Sequence, residues 1–149
     1  MFEIELKNQD EMSIKIKDRT IIVNVAQSTI VAGLAVGTIR GAGEFEIGEA
    51  TIRGIATNDG GVMYRIEMGD VTVGVVGDKT KNEDLDELGP IDILGTSVVG
   101  VVGIVEPKIV IPMGTMDFAE LKASIKVEKR LKIKNASSLP AIMEIYKLD

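Results

Sequence analysis

Apolar and polar residues alternate with a period of two over long parts of this chain, the pattern of a strand with one buried face. In residues 2–7 and 13–17 the apolar set includes Phe2, Ile4, Ile14 and Ile16, and the polar set Glu3, Glu5, Lys15 and Lys17. Residues 20–25 continue the pattern, and Asp18-Arg19 is placed to turn the chain between them and 13–17 as a hairpin. Residues 28–36 are small and apolar and read as a buried strand, with Gly33 and Gly37 marking close backbone packing. Gly41-Ala42-Gly43 reads as a turn, followed by strands at 44–47 and 50–56 separated by Gly48-Glu49. Asn58-Asp59-Gly60-Gly61 is a strong turn signal. Residues 63–68 and 71–76 form a second predicted hairpin across Gly69-Asp70.

The period changes in the second half. Residues 81–88 predict a short helix with Glu83 and Asp84 in its first turn, stopped by Gly89-Pro90. Residues 91–94 and 108–111 are continuous apolar runs, as in strands buried on both faces. Between them, residues 95–105 hold three glycines and six β-branched aliphatics. That composition makes a poor helix and predicts another strand, with Glu106-Pro107 turning the chain. Asp117 followed by Glu120 predicts a capped helix over 117–123. Residues 130–134 and 141–148 read as closing strands around Asn135-Ala136-Ser137-Ser138. Neither an internal repeat nor a low-complexity linker divides the chain, so residues 1–149 read as one domain.

Composition narrows the chemistry. The chain is 45% hydrophobic but has only three Phe, two Tyr and no Trp, so its core is built from Ile, Val, Leu and Met. It has no histidine and no cysteine. Disulfides, thiolate metal sites and Ser-His or Cys-His catalysis are thereby excluded, along with the commonest zinc ligand. The net charge of −6 argues against nucleic-acid binding. Its longest uncharged runs, 25–39 and 93–105, are too short for a membrane span, and no secretory signal is visible. A soluble, cytoplasmic protein is the default expectation, with export by another route left open.

Two blocks of the sequence carry a resemblance. The first is Gly41-Ala42-Gly43-Glu44-Phe45-Glu46-Ile47 with the run from Thr51 to Asp59. The second is Tyr64-Arg65-Ile66-Glu67, the run from Val71 to Asp78, Leu88-Gly89-Pro90-Ile91-Asp92-Ile93-Leu94, and the run from Glu106 to Met113. In order and spacing these pieces resemble the metallo-β-lactamase-fold hydrolases, in particular the compact branch related to ascorbate-phosphate lactonases. The resemblance implies a β-rich α+β fold: a two-sheet β-sandwich derived from the αββα metallo-β-lactamase fold, with most covering helices missing. Family members carry a His-x-His-x-Asp-His loop after an early strand, and this chain has none. Asn58 and Gly114 stand where the family has histidines. Of the metal-bridging positions, Asp78 alone matches a carboxylate. One carboxylate cannot hold a hydrolytic zinc, so neither a catalytic residue nor a cofactor is expected.

Three functional readings follow. In the first, the chain is a non-catalytic, self-associating structural protein. Sheet faces that have lost their helices need cover, and a second copy of the chain, or another protein, would supply it. Val98, Val99, Val101, Val102 and Ile104 are the candidate self-association residues. In the second, a pseudoenzyme holds a small ligand or a protein partner in the old cleft, at Asn58, Asp59, Asp78, Gly114 and Thr115. In the third, Glu44, Glu46, Glu67, Asp59 and Asp78 form an oxygen-rich site for Mg²⁺ or Ca²⁺ and some metal-dependent hydrolysis survives.

Overall fold

A computed structural model of the chain describes residues 1–32 and 37–149. The first strands are β1 (Phe2–Asn8), β2 (Glu11–Ile16), β3 (Arg19–Asn24), β4 (Thr29–Ala32) and β5 (Thr38–Arg40). The reading of a strand through Val36, and the packing assigned to Gly33, lie outside the described residues. Then come β6 (Gly43–Ile47), β7 (Ala50–Ala56), β8 (Val62–Met68) and β9 (Val71–Val76). The rest are β10 (Ile93–Thr96), a helix α1 (Val99–Val105), β11 (Ile109–Pro112), β12 (Ser124–Glu128), β13 (Leu131–Ile133) and β14 (Glu144–Leu148).

These strands form two sheets. One has the order β13-β1-β2-β3-β4-β5, and the other β12-β14-β11-β10-β9-β8-β7-β6. The chain passes from the first sheet to the second at Gly41-Ala42. The inner faces meet in one core that includes Ile4, Met12, Ile14 and Ile21 from the first sheet and Ile52, Tyr64, Val73 and Ile93 from the second. A second, smaller core lies on the outer face of the larger sheet, where Leu85, Leu88, Val101 and Val102 cover Met63, Leu94, Val110 and Ile145. The sheets approach closely at Gly95, where a Cβ would collide with the Met12 methyl.

The antiparallel half follows the sequence. The β2–β3 hairpin pairs Ile16 with Arg19, so its turn is Lys17-Asp18, one residue earlier than the pattern places it. The β8–β9 hairpin closes at Gly69-Asp70, with Met68 opposite Val71. The parallel half does not follow the sequence. β10 pairs parallel with both β9 and β11. Adjacent parallel strands require a crossover over one sheet face. Residues 99–105 make that crossover as α1, where composition predicts a strand. Val101 and Val102 turn onto the sheet at 3% and 2% exposure, while Gly100 and Gly103 meet nothing within 4 Å. The helix ends at Glu106, whose left-handed backbone (φ 53°) lets its N–H bond the Val102 carbonyl at 2.9 Å. Tertiary need for a cover overrides the propensity of Val and Gly.

Two predicted helices shrink to 3-10 turns, Asn82–Glu87 and Ala119–Leu121. Asp117 does accept the Ala119 N–H, at 3.2 Å. The strand β12 lies in a stretch from which the pattern predicts no separate strand.

The outer face of the first sheet also departs from expectation. It was to be apolar after losing its helices; instead it is charged. Lys132, Glu3, Lys15 and Thr20 lie side by side across β13, β1, β2 and β3. Arg130 sits 3.5 Å from Glu3 and 3.2 Å from Glu5. Water covers such a face, and it needs no partner to bury it.

Candidate functional site

Strand direction alone gathers the candidate residues at one edge. β7, β9, β10 and β11 run the same way, because β7 and β9 each lie antiparallel to β8 while β10 and β11 lie parallel to β9. Their C-terminal ends therefore open onto one margin of the sandwich. Thr57 to Gly61 follow β7, Gly77 and Asp78 follow β9, Ser97 follows β10, and Met113 to Thr115 follow β11. From the first sheet, the β1–β2 turn reaches the same margin: the Gln9 carbonyl accepts the Gly114 N–H at 3.1 Å. Gly114 holds φ at 59°, a left-handed conformation that glycine adopts without strain. So Asn58, Asp59, Asp78, Gly114 and Thr115 do share an edge.

Asn58 and Asp59 are engaged with neighbouring turn residues rather than with one another. The Thr57 hydroxyl donates to the Lys79 carbonyl at 2.6 Å and accepts the Gly61 N–H at 2.9 Å. Asn58 gives its backbone N–H to Asp84 at 3.1 Å and its side-chain amide to Glu83 at 3.2 Å. Asp59 faces Lys81 at 3.3 Å, both about half exposed, which makes a weak, water-screened pair. Asp84 is the one carboxylate here that is buried, at 8% exposure. Its two oxygens accept the N–H groups of Asn58 and Lys81, the second at 2.8 Å. It thus ties the turn after β7 to the 3-10 turn over 82–87. A carboxylate three residues after the chain enters that turn is the sequence signal for this role.

Asp78, Gly114 and Thr115 are exposed. Among the described residues, no three His, Cys, Asp or Glu side chains come together in a way that could hold a metal ion. The donor set does not fit the zinc centre that the fold family implies: Asp84 accepts two backbone amides, Asp59 faces Lys81, Asp78 is exposed, and the chain has no imidazole to stand beside them. Nor do the other acidic residues join this edge. Glu46 and Glu67 flank Thr51 near the opposite end of β7. Glu44 lies 3.9 Å from Arg53, and Glu67 lies 3.1 Å from the Arg65 guanidinium.

The proposed self-association residues divide. Val101 and Val102 are buried in the chain's own outer core, Val98, Val99 and the neighbouring Val105 are half-buried against it, and Ile104 is 48% exposed. The larger exposed aliphatics missed by the sequence reading are on and beside β12: Ile125 at 48%, Val127 at 59% and Ile142 at 82%. An open apolar hollow of about 600 Å³, lined by Leu121, Ala123, Pro140, Ile142 and Met143, starts where β12 begins. One polar group stands out in the core. The Tyr64 hydroxyl is buried with no hydrogen-bond partner among the described residues, and burial pushes its pKa up to about 12.

The two sheets, the parallel strands β9, β10 and β11, and the helix-covered outer face make this a reduced metallo-β-lactamase-like fold. The crystal structure of a Thermotoga maritima protein, described as a Zn-dependent hydrolase of the metallo-β-lactamase superfamily, superposes on it with a TM-score of 0.73. The match spans 99% of each chain at 17% sequence identity, so the compact form is common to both. No described protein family and no curated protein matches the sequence. No helix among the described residues is long and apolar enough to cross a membrane.

Proposed function

We propose that this chain is a non-catalytic, self-associating structural protein built on a reduced metallo-β-lactamase fold. In motif order it resembles the ascorbate-phosphate lactonase-like branch, and on this reading the metal ligands of that branch are lost. The observation that carries this reading is the state of the old catalytic edge. Much of its polar set holds two turns together: Asp84 on backbone amides, Asn58 on Glu83 and Asp59 on Lys81. Zinc hydrolysis needs three or more protein ligands to lower the pKa of a bound water, and this edge offers an isolated Asp78.

Light scattering on the purified chain, with and without chelator, tests the reading together with a screen for phosphoesterase and lactonase turnover. The expected result is an assembly larger than the 16.0 kDa chain, indifferent to chelator and without turnover. Turnover that a chelator abolishes and that Asp78→Ala removes would overturn the reading in favour of a surviving hydrolase. A second reading keeps the exposed Asp78 and Thr115 as a grip for a small ligand or a protein partner. A monomer that binds such a ligand, and loses it with Asp78→Ala, would replace the first reading with this one.

A further inference from the structure

We propose that two copies of this chain join edge to edge through β12, antiparallel, about a two-fold axis at Val127, so that the eight-stranded sheet continues from one copy into the next. This rests on the self-association reading above and names the surface and register that it would use.

The edge is open in the required way. β12 forms one margin of its sheet and pairs only with β14 on the other side. In that parallel pair the Asp149 N–H bonds the Glu128 carbonyl at 3.0 Å. Within a strand the N–H and C=O of one residue point to the same side, and successive residues alternate. Glu128, Lys126 and Ser124 therefore turn their backbone groups towards β14. Ile125 and Val127 turn theirs away from the sheet, where a second strand would take them.

The other sheet margins carry devices against such pairing; β12 carries charge, at Lys126 and Glu128, but it is neither cut short nor broken by an irregular backbone. β5 and β13 are three residues long. β6 starts at Gly43 with φ at 149° and presents Glu44 and Glu46. Short strands, irregular backbone and charge are the usual ways in which proteins close an edge. β12 has five residues, and on its outer face it shows Ile125, level with buried Ile145, and Val127, level with Lys147. Its lysine, Lys126, lies on the opposite face, held 2.9 Å from Glu144 and over the Tyr146 ring.

Charge selects both the partner and the register. A two-fold axis perpendicular to the sheet pairs β12 with itself, and only registers centred on a residue keep each copy's outer face aligned. Centred on Lys126, the pairing sets two lysines directly opposite, which is unfavourable. Centred on Ile125, it sets Lys126 against Ser124 on each side of the axis and makes no ion pair within β12. Centred on Val127, it sets Val127 against Val127 as a hydrogen-bonded pair and Lys126 against Glu128 twice, once on each side of the axis. β12 is self-complementary in that register, and an isologous contact of this kind closes on itself as a dimer.

Val127→Lys and Val127→Glu test this in the full chain. The position is 59% exposed, so both variants should fold, seen as an unchanged far-UV circular dichroism spectrum and a cooperative melt. Native mass is then read for the wild type, each variant alone and their equimolar mixture at low salt. The expected result is a wild-type mass of twice 16.0 kDa, monomer for each variant alone, and the dimer mass again in the mixture, lost on adding salt. A monomeric wild type would overturn self-association and this interface together. A wild-type assembly that either variant leaves unchanged would overturn the β12 interface while self-association stands. Variants that dissociate but do not recombine in the mixture would overturn the Val127-centred register.

Discussion

Tyr64 is the residue at which the core departs furthest from its own rules. It is fully buried between the sheets, and its hydroxyl has no partner among the described residues. An unsatisfied buried hydroxyl costs about 1–3 kcal/mol. Tyr64→Phe is therefore expected to raise the melting temperature, or at least not to lower it, in a calorimetric scan at neutral pH. The ionisation of Tyr64 sets a second expectation. From its ordinary value of 10 the pKa rises to about 12 in the fold, because burial disfavours the phenolate. Between those values the unfolded chain has released the proton and the folded chain still holds it. Stability must then fall as pH rises, by about 1.4 kcal/mol per unit, and the loss stops growing above about 12. Denaturant titrations between pH 10 and 12 should show a slope steeper by that amount in the wild type than in Tyr64→Phe, where the raised pKa values of Lys17 and Lys126 still act in the same direction. Asp84 is the opposite case, a buried polar group whose oxygens are both used. Asp84→Ala leaves the Asn58 and Lys81 amides without their acceptor and should cost about 1–3 kcal/mol, while the exposed Asp78→Ala should cost nothing measurable. Neither difference can be read from the sequence, where the three carboxylates Asp59, Asp78 and Asp84 look alike near turns.

At the scale of elements, α1 is the main surprise. Its residues have the composition of a strand, and what makes them a helix is the parallel pair β10–β11 and the outer face that this pair must have covered. The glycines that argued against a helix lie on its open side. Gly100→Ala and Gly103→Ala, made together, are expected to stabilise the protein by about 0.5–1 kcal/mol each, seen as a higher denaturant midpoint. Glycines in a strand crowded on both faces would give the opposite sign. The antiparallel strands β1 to β3 and β6 to β9 were legible in the sequence, because each has a buried face and a solvent face and the period of two records it. β12 was not: all of its residues are exposed, so no buried face marks it off from the loop before it.

For the whole molecule, the loss of covering helices has two different outcomes. The first sheet's outer face has become charged, with Glu3, Glu5, Arg130 and Lys132 in mutual reach. Each of these exposed pairs is worth little, but together they make the face soluble. The larger sheet keeps a partial cover in α1 and the 3-10 turn over 82–87; among the described residues its bare aliphatic side chains include Ile104 on α1 and Ile125, Val127 and Ile142 on and beside β12. Absent a coordinating set at the old edge, added zinc should not move the melting temperature. A ligand present at a hundred times its dissociation constant would add about 2.7 kcal/mol, an easily visible shift.

The sequence by itself determined the antiparallel hairpins, the aliphatic core and the lack of imidazole and thiolate chemistry. These depend on residue identity and on side chains alternating between neighbouring positions, which any local stretch records. Only the tertiary structure decided that residues 99–105 form a helix, that the first sheet's bare face is polar, and that Val101 and Val102 are buried while Ile125 and Val127 are not. Those outcomes depend on which strands lie side by side and which faces remain uncovered, and a backbone adopts the conformation that the uncovered face requires even where its own propensities point elsewhere.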